Sequence, residues 1–157
     1  MERRRAADVL ATDVPSYFAR EAHARFDTVE SSVRYEERSV YDLEGEFDFA
    51  FMGWVLQTLD DPIRALKTVR GVAKQLLVLD TISLPLTVIP VPLARLDARR
   101  DGGEWFVFNR RGMHKVLELA GWTVEEQTGV LRDRFVIPTD WKHRVGIRGR
   151  SCAMLAS

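Results

Sequence analysis

The sequence predicts an α/β fold with a mostly parallel sheet, and three observations carry that expectation. Nearly continuous apolar runs recur at residues 9–12, 47–52 and 76–79, as in strands covered on both faces. Between them stand segments with helical apolar spacing. Helix punctuation falls at the right places, with Asp61-Pro62 before one such segment and Gly121 after another. The alternation is that of an open parallel sheet with right-handed crossovers.

Taken in order, residues 9–12 read as a short strand ending in Asp13. Pro15 opens a helix with Phe18, Ala22 and Phe26 on one face. Residues 33–40 alternate enough for a strand with Val33, Tyr35 and Val40 inward. The strand at 47–52 ends at Gly53, the end at which open α/β sheets bind ligands. Asp61 reads as an N-cap with Pro62 in the first helical position. The helix from 62 to about 74 buries Ile63, Leu66, Val69 and Val72 or Ala73, and a strand follows at 76–80. Segment 82–103 carries Pro85, Pro90, Pro92 and an Arg-Arg-Asp-Gly-Gly run, so no long regular element is expected there. A loop of that length is more often functional than idle. Asn109 caps a helix with Met113, Val116, Leu117 and Ala120 inside, stopped by Gly121. Residues 122–128 and 144–148 are the last strand candidates, a terminal antiparallel pair. With no repeat and no linker, residues 1–157 read as a single domain.

Composition narrows the function classes. At 46% hydrophobic and 29% charged residues the chain has the material for a folded core. The run at 76–79 is too short to span a bilayer. The basic start, Met1 to Arg5, is not followed by the apolar stretch of a secretory signal. One cysteine, Cys152, leaves no intrachain disulfide and no cysteine-rich zinc site, and a cytoplasmic setting fits. Net charge is zero but unevenly spread. Residues 1–62 hold seven Lys/Arg against fourteen Asp/Glu, net −7, and residues 63–157 hold sixteen against nine, net +7. The plain reading is two solvated faces; the sharper one is a basic surface for an anionic substrate. Nucleic acid is a weak option, because no aromatic-rich binding motif accompanies the arginines.

Several residues can carry chemistry, each with a bland alternative. Asp13, at a strand end, suits ribose hydroxyls, or caps the Pro15 helix. Ser39 and Val40 can flank a base edge, or simply leave the strand. Met52, Gly53 and Trp54 follow the third strand; Gly53 permits close ligand approach, or serves a tight turn with Trp54 as core filler. Asp80 is a possible general base or substrate anchor, but a solvent-facing strand end is the more ordinary expectation. His23, His114 and His143 show no Cys, Asp or Glu partner at ligand spacing and read as surface or structural. No metal cluster, phosphate-binding loop or nucleophile elbow is present in the sequence.

The motifs together resemble class I S-adenosylmethionine-dependent methyltransferases. Residues 47–81, FDFAFMGWVLQTLDDPIRALKTVRGVAKQLLVLDT, are similar to the family's strand, turn and helix pattern F-D-x-[apolar]3-x-x-[apolar]-L-x-H-[apolar]-x-D-P-x-x-A-L. Phe47-Asp48, Leu56, Leu59, Asp61-Pro62 and Ala65-Leu66 are in register. VLATDV resembles the second strand with its ribose-binding acid, at Asp13 beside Val14. RSVYDL resembles the adenine-flanking segment, at Ser39 and Val40. EWFVFNRRGMHKVLELAGW resembles a late segment of the same family. The resemblance implies a Rossmann-like mostly parallel sheet with flanking helices and a C-terminal antiparallel strand pair, incomplete at the N-terminus. It implies S-adenosyl-L-methionine as cofactor, held by Asp13, Val14, Ser39, Val40, Met52, Gly53 and Trp54. It also implies methyl transfer to a small molecule or nucleobase, with Arg110 and Arg111 meeting an anionic group on it. No catalytic base is assigned.

Two departures stand out. Thr58 occupies the position that is commonly His. The family's first strand and D-x-G-x-G-x-G loop are not in the sequence, and that strand is the expected neighbour of both the second and the fourth. Without it, buried strand edges would lose about 1–3 kcal/mol for each unpaired group. Three accounts are open: a truncated product, a compacted relative in which those two strands pair directly, or a strand supplied by another chain, including a homo-oligomer. A non-catalytic remnant or interaction module is the alternative to an enzyme.

Overall fold

The computed structural model describes residues 8–14, 33–81, 86, 89–96, 105–127, 131–132 and 150–157. The chain separates into two compact units, Met1–Glu44 and Gly45–Ser157. The expected helix from Pro15, the expected strand at 144–148, and much of the proline-rich segment lie outside the described residues.

In the first unit, β1 (Val9–Asp13) and β2 (Val33–Glu37) pair in parallel, with Val9 opposite Val33 and Asp13 opposite Glu37. The strand expected over 33–40 ends earlier. Val40–Asp42 is instead a 3-10 turn, with the Ser39 side chain accepting from the Tyr41 N–H at 3.2 Å. Ser39 stops the strand because its hydroxyl offers the backbone a local partner in place of a ladder bond.

The second unit is built on a sheet ordered β3 (Phe47–Gly53), β4 (Ala73–Thr81), β9 (Arg150–Ala156), β7 (Val124–Gln127), with β8 (Leu131–Arg132) also on β9. β3 and β4 are parallel; β9 runs antiparallel to β4, β7 and β8. Among the described residues the terminal antiparallel pairing joins β7 to β9 at Arg150–Ala156. A short hairpin, β5 (Ala94–Leu96) with β6 (Phe106–Phe108), stands apart from the main sheet. Three-residue strands are too short to show a period in sequence, which is why segment 82–103 read as irregular.

Helix α1 (Pro62–Val72) starts as expected: the Asp61 carboxylate accepts from the Arg64 N–H at 3.0 Å and Pro62 holds the first turn. It buries Pro62, Ala65, Leu66 and Val69 and runs directly into β4 at Ala73. Helix α2 (Arg110–Leu119) is capped by Asn109 and closed by Gly121 at φ +90°, where only glycine is unstrained. The helices contact each other, α1 contacts β4 and α2 contacts β9. They cover the sheet face that carries Met52, Leu76, Val78, Met154 and Ala156, all buried. Each fully buried leucine of this layer contributes about 1.5–3 kcal/mol.

The opposite face corrects the two-sided burial expected of β3. Phe49 and Phe51 are 49% and 58% exposed. Among the described strands β3 is the edge of its sheet, and β1 and β2 form a sheet of their own. The described parallel ladders pair β1 with β2 in the first unit and β3 with β4 in the second.

Candidate functional site

Each unit presents its candidates at the C-terminal ends of its own parallel strands. In the first, Asp13 closes β1 and is exposed. Its Oδ1 accepts from the Val14 N–H at 2.8 Å, and its main-chain carbonyl accepts from the Arg38 N–H at 2.9 Å. That second bond brings the start of the Ser39–Val40 segment to the end of β1. Val14 is 49% exposed. The strand end is acidic: burial, then the Asp13 and Glu37 carboxylates, push the Tyr35 phenol above its ordinary 10.0. Whether Asp13 caps a following helix lies outside the described residues.

In the second unit, Met52 and Gly53 close β3 and Trp54 follows it. Met52 is buried in the sheet, while Gly53 and Trp54 are half-buried. The left-handed residue is Trp54 itself, at φ 54°, a conformation that costs a non-glycine residue about 1–3 kcal/mol. Gly53 serves a close approach instead: a Cβ there would stand 2.8 Å from the Phe51 ring. The tip of the Phe51 ring therefore lies beside Gly53.

The turn is tied to β4 at two points. The Trp54 N–H donates to the Leu79 carbonyl at 2.7 Å, and the Gln57 N–H donates to Asp80 Oδ2 at 3.2 Å. Asp80 is only 2% exposed, which overturns the solvent-facing expectation for this strand end. A third tie runs from the Trp105 N–H to the Gln57 carbonyl, 2.7 Å. Thr58, in the position commonly held by His, donates its hydroxyl to the Val55 carbonyl at 2.7 Å and closes the 3-10 turn Leu56–Thr58.

Arg110 and Arg111 are exposed on the first turn of α2. They line an open cleft of about 490 Å3 with Pro92, His114, Lys115, Glu118 and Gln127. Arg111 Nη1 donates to the Pro90 carbonyl at 2.8 Å. His114 and Lys115 gather on Glu118, at 3.4 and 3.0 Å; His114 thus has the acidic partner that its sequence spacing had seemed to lack. Lys115 holds the Glu118 carboxyl below its ordinary range, with a smaller contribution from His114. Behind the cleft, Asn109 is 1% exposed. Its Oδ1 accepts from the Gly112 and Leu93 N–H groups, and its Nδ2 donates to the Leu86 and Val91 carbonyls. The sequence showed the cap at Asn109 but not this second grip on the proline-rich segment. Among the described residues no group of three or more His, Cys, Asp or Glu is placed to hold a metal, and no helix is long and apolar enough to cross a membrane.

Parallel strands ending in an acid, a small polar segment and a glycine turn, extended by an antiparallel C-terminal strand, define a methyltransferase-type α/β fold. Residues 1–76 match the family model described as a methyltransferase domain. No curated protein sequence matches. Among solved structures, a putative methyltransferase from Bacillus halodurans C-125 superposes with a TM-score of 0.65 at 17% identity, covering 95% of this chain and 82% of that one. A S-adenosylmethionine-dependent methyltransferase from Methanosarcina mazei gives 0.65 at 17%, covering 95% and 81%. The 1,6-didemethyltoxoflavin-N1-methyltransferase of Burkholderia thailandensis, solved with that acceptor and S-adenosylhomocysteine, gives 0.61 at 16%, covering 94% and 60%. The fold of the chain is thus similar to that of these methyltransferases, and its first 76 residues match the methyltransferase-domain family.

Proposed function

We propose that the chain binds S-adenosylmethionine and transfers its methyl group to a small-molecule or nucleobase acceptor. The observation that carries this reading is the strand-end set itself. Asp13 stands exposed at the end of β1, Ser39 and Val40 open the turn after β2, and Gly53 closes β3 with Trp54 directly after it. An exposed carboxylate, a small polar residue with an apolar neighbour and a glycine turn fit a ribose, an adenine and an amino-acid tail in turn.

When bound, the cofactor supplies an electrophilic methyl group on its sulfonium. The protein's part is alignment. Asp13 accepts from ribose hydroxyls, with Val14 alongside. Ser39 and Val40 flank the base, and Met52, Gly53 and Trp54 line the methionine part. Arg110 and Arg111 meet an anionic group on the acceptor, drawn by the positive charges of Arg110, Arg111 and Lys115 around the α2 cleft. The proline-rich segment covers the acceptor, and a single domain in a cytoplasmic setting completes the reading.

Titration calorimetry with S-adenosylmethionine and S-adenosylhomocysteine tests it. Saturable binding is expected. No heat at sub-millimolar ligand would turn the reading for this chain to a non-catalytic methyltransferase-like module.

A further inference from the structure

A buried carboxylate at the end of β4 has no part in the roles assigned above. Asp80 is 2% exposed, and Asp80 and Asn109 are the two buried polar or charged side chains among the described residues. Taking a carboxylate out of water is costly unless hydrogen bonds compensate. One of those bonds is from the Gln57 N–H, inside the 3-10 turn Leu56–Thr58. Three residues before that turn is Gly53, and directly after Gly53, Trp54 holds a left-handed backbone with its N–H on the carbonyl of Leu79, the residue before Asp80. Consecutive residues of β4 thus grip the two ends of one strained turn. A strained non-glycine residue persists only where its surroundings over-determine it.

We propose that Asp80 is a positioning residue: through Gln57 it holds the Gly53–Thr58 turn, and with it Trp54, in the shape that receives the methionine part of the cofactor. This rests on the reading of Gly53 and Trp54 under the proposed function. Asp80 itself touches neither cofactor nor acceptor. What Gln57 needs from it is a hydrogen-bond acceptor. An asparagine keeps a carbonyl oxygen in that place and an alanine does not, so the two substitutions separate positioning from proton transfer.

The experiment compares Asp80→Ala, Asp80→Asn and the unsubstituted chain in two measurements. The first is hydrogen exchange of the Gln57 amide without cofactor. The second is calorimetric affinity for S-adenosylhomocysteine, corrected for the folded fraction. Asp80→Ala is expected to expose the Gln57 amide and to weaken binding by about tenfold or more, the loss of a hydrogen bond to a charged group. Asp80→Asn is expected to restore both. Trp122→Phe, which lowers stability from outside the turn, is expected to leave the affinity of folded molecules unchanged. The proposal is overturned if Asp80→Ala leaves the Gln57 amide protected or the affinity intact, if Asp80→Asn loses as much as Asp80→Ala, or if Trp122→Phe weakens binding equally. Failure of the unsubstituted chain to bind would overturn the methyl-transfer reading as well, whereas the other three outcomes leave that reading standing.

Discussion

The indole N–H of Trp122 donates to the main-chain carbonyl of Leu66 at 3.0 Å, across the interior between the end of α2 and the middle of α1. Trp122 is 2% exposed, and the Arg70 guanidinium lies 5.0 Å above its ring. One side chain thus fills the layer, satisfies its own polar atom and seats a cation. Trp122→Phe should keep most of the packing but lose the bond, costing about 1–2 kcal/mol. Trp122→Ala should cost about 3–5 kcal/mol. Chemical denaturation of the two variants checks both, and no loss in Trp122→Phe would mean that the bond contributes nothing.

Two helical glycines should respond oppositely to alanine. Gly71, in the last turn of α1, has nothing within 4 Å of an added Cβ. Gly71→Ala should stabilise by about 0.5–1 kcal/mol, through the lower backbone entropy of the unfolded chain. At Gly112, in the first turn of α2, a Cβ would strike the Leu93 carbonyl oxygen. Gly112→Ala should therefore destabilise although alanine is the better helix former. Thermal midpoints measured side by side decide the signs.

Asp13→Ala should abolish binding of S-adenosylhomocysteine while leaving the thermal midpoint nearly unchanged, because the side chain is exposed and its bond to the Val14 N–H is local. Calorimetry and a melting curve on the same sample suffice. A large fall in the midpoint would instead mark Asp13 as a structural cap.

At the start of β3 and β4, Lys74 Nζ bonds Asp48 Oδ1 at 2.7 Å, with both side chains largely exposed. The bond holds the Asp48 carboxyl below its ordinary 3.8 and the Lys74 ammonium above its ordinary 10.5. The Asp48 contribution is present above 3.8 and is lost as pH falls through the lower folded value. The Lys74 contribution is present below 10.5 and is lost as pH rises through the higher one. The pair is therefore at full strength between those limits. Exposed pairs are weak and screened by salt. Asp48→Asn should cost little at neutral pH, less still at high salt, and nothing at the acid extreme. A stability series in pH and salt checks it.

Local chemistry was legible from residues alone where neighbours in sequence decide it. Asp61 with Pro62 and Asn109 with Gly121 mark the two described helices, because caps act over three or four residues. The inner face of α2 at Met113, Val116, Leu117 and Ala120 followed from spacing. β9 was not legible: Ala153 and Ala156 are poor strand formers, and the strand exists because β4 and β7 both pair with it.

By itself the sequence determined the order of β1 to β4 and of the two described helices, their caps, and the strand-end residues that resemble a methyltransferase. Only the tertiary structure decided which faces of those strands are covered and what their ends touch. Phe49 and Phe51 belong to an apolar run that looks buried, yet they stand on the face that α1 and α2 do not cover. Asp80 looks like an exposed strand end, yet it is buried because the turn after β3 folds across it and donates the Gln57 N–H. Residues 23 apart in sequence meet only through sheet pairing, a long-range contact that no local pattern of polarity encodes.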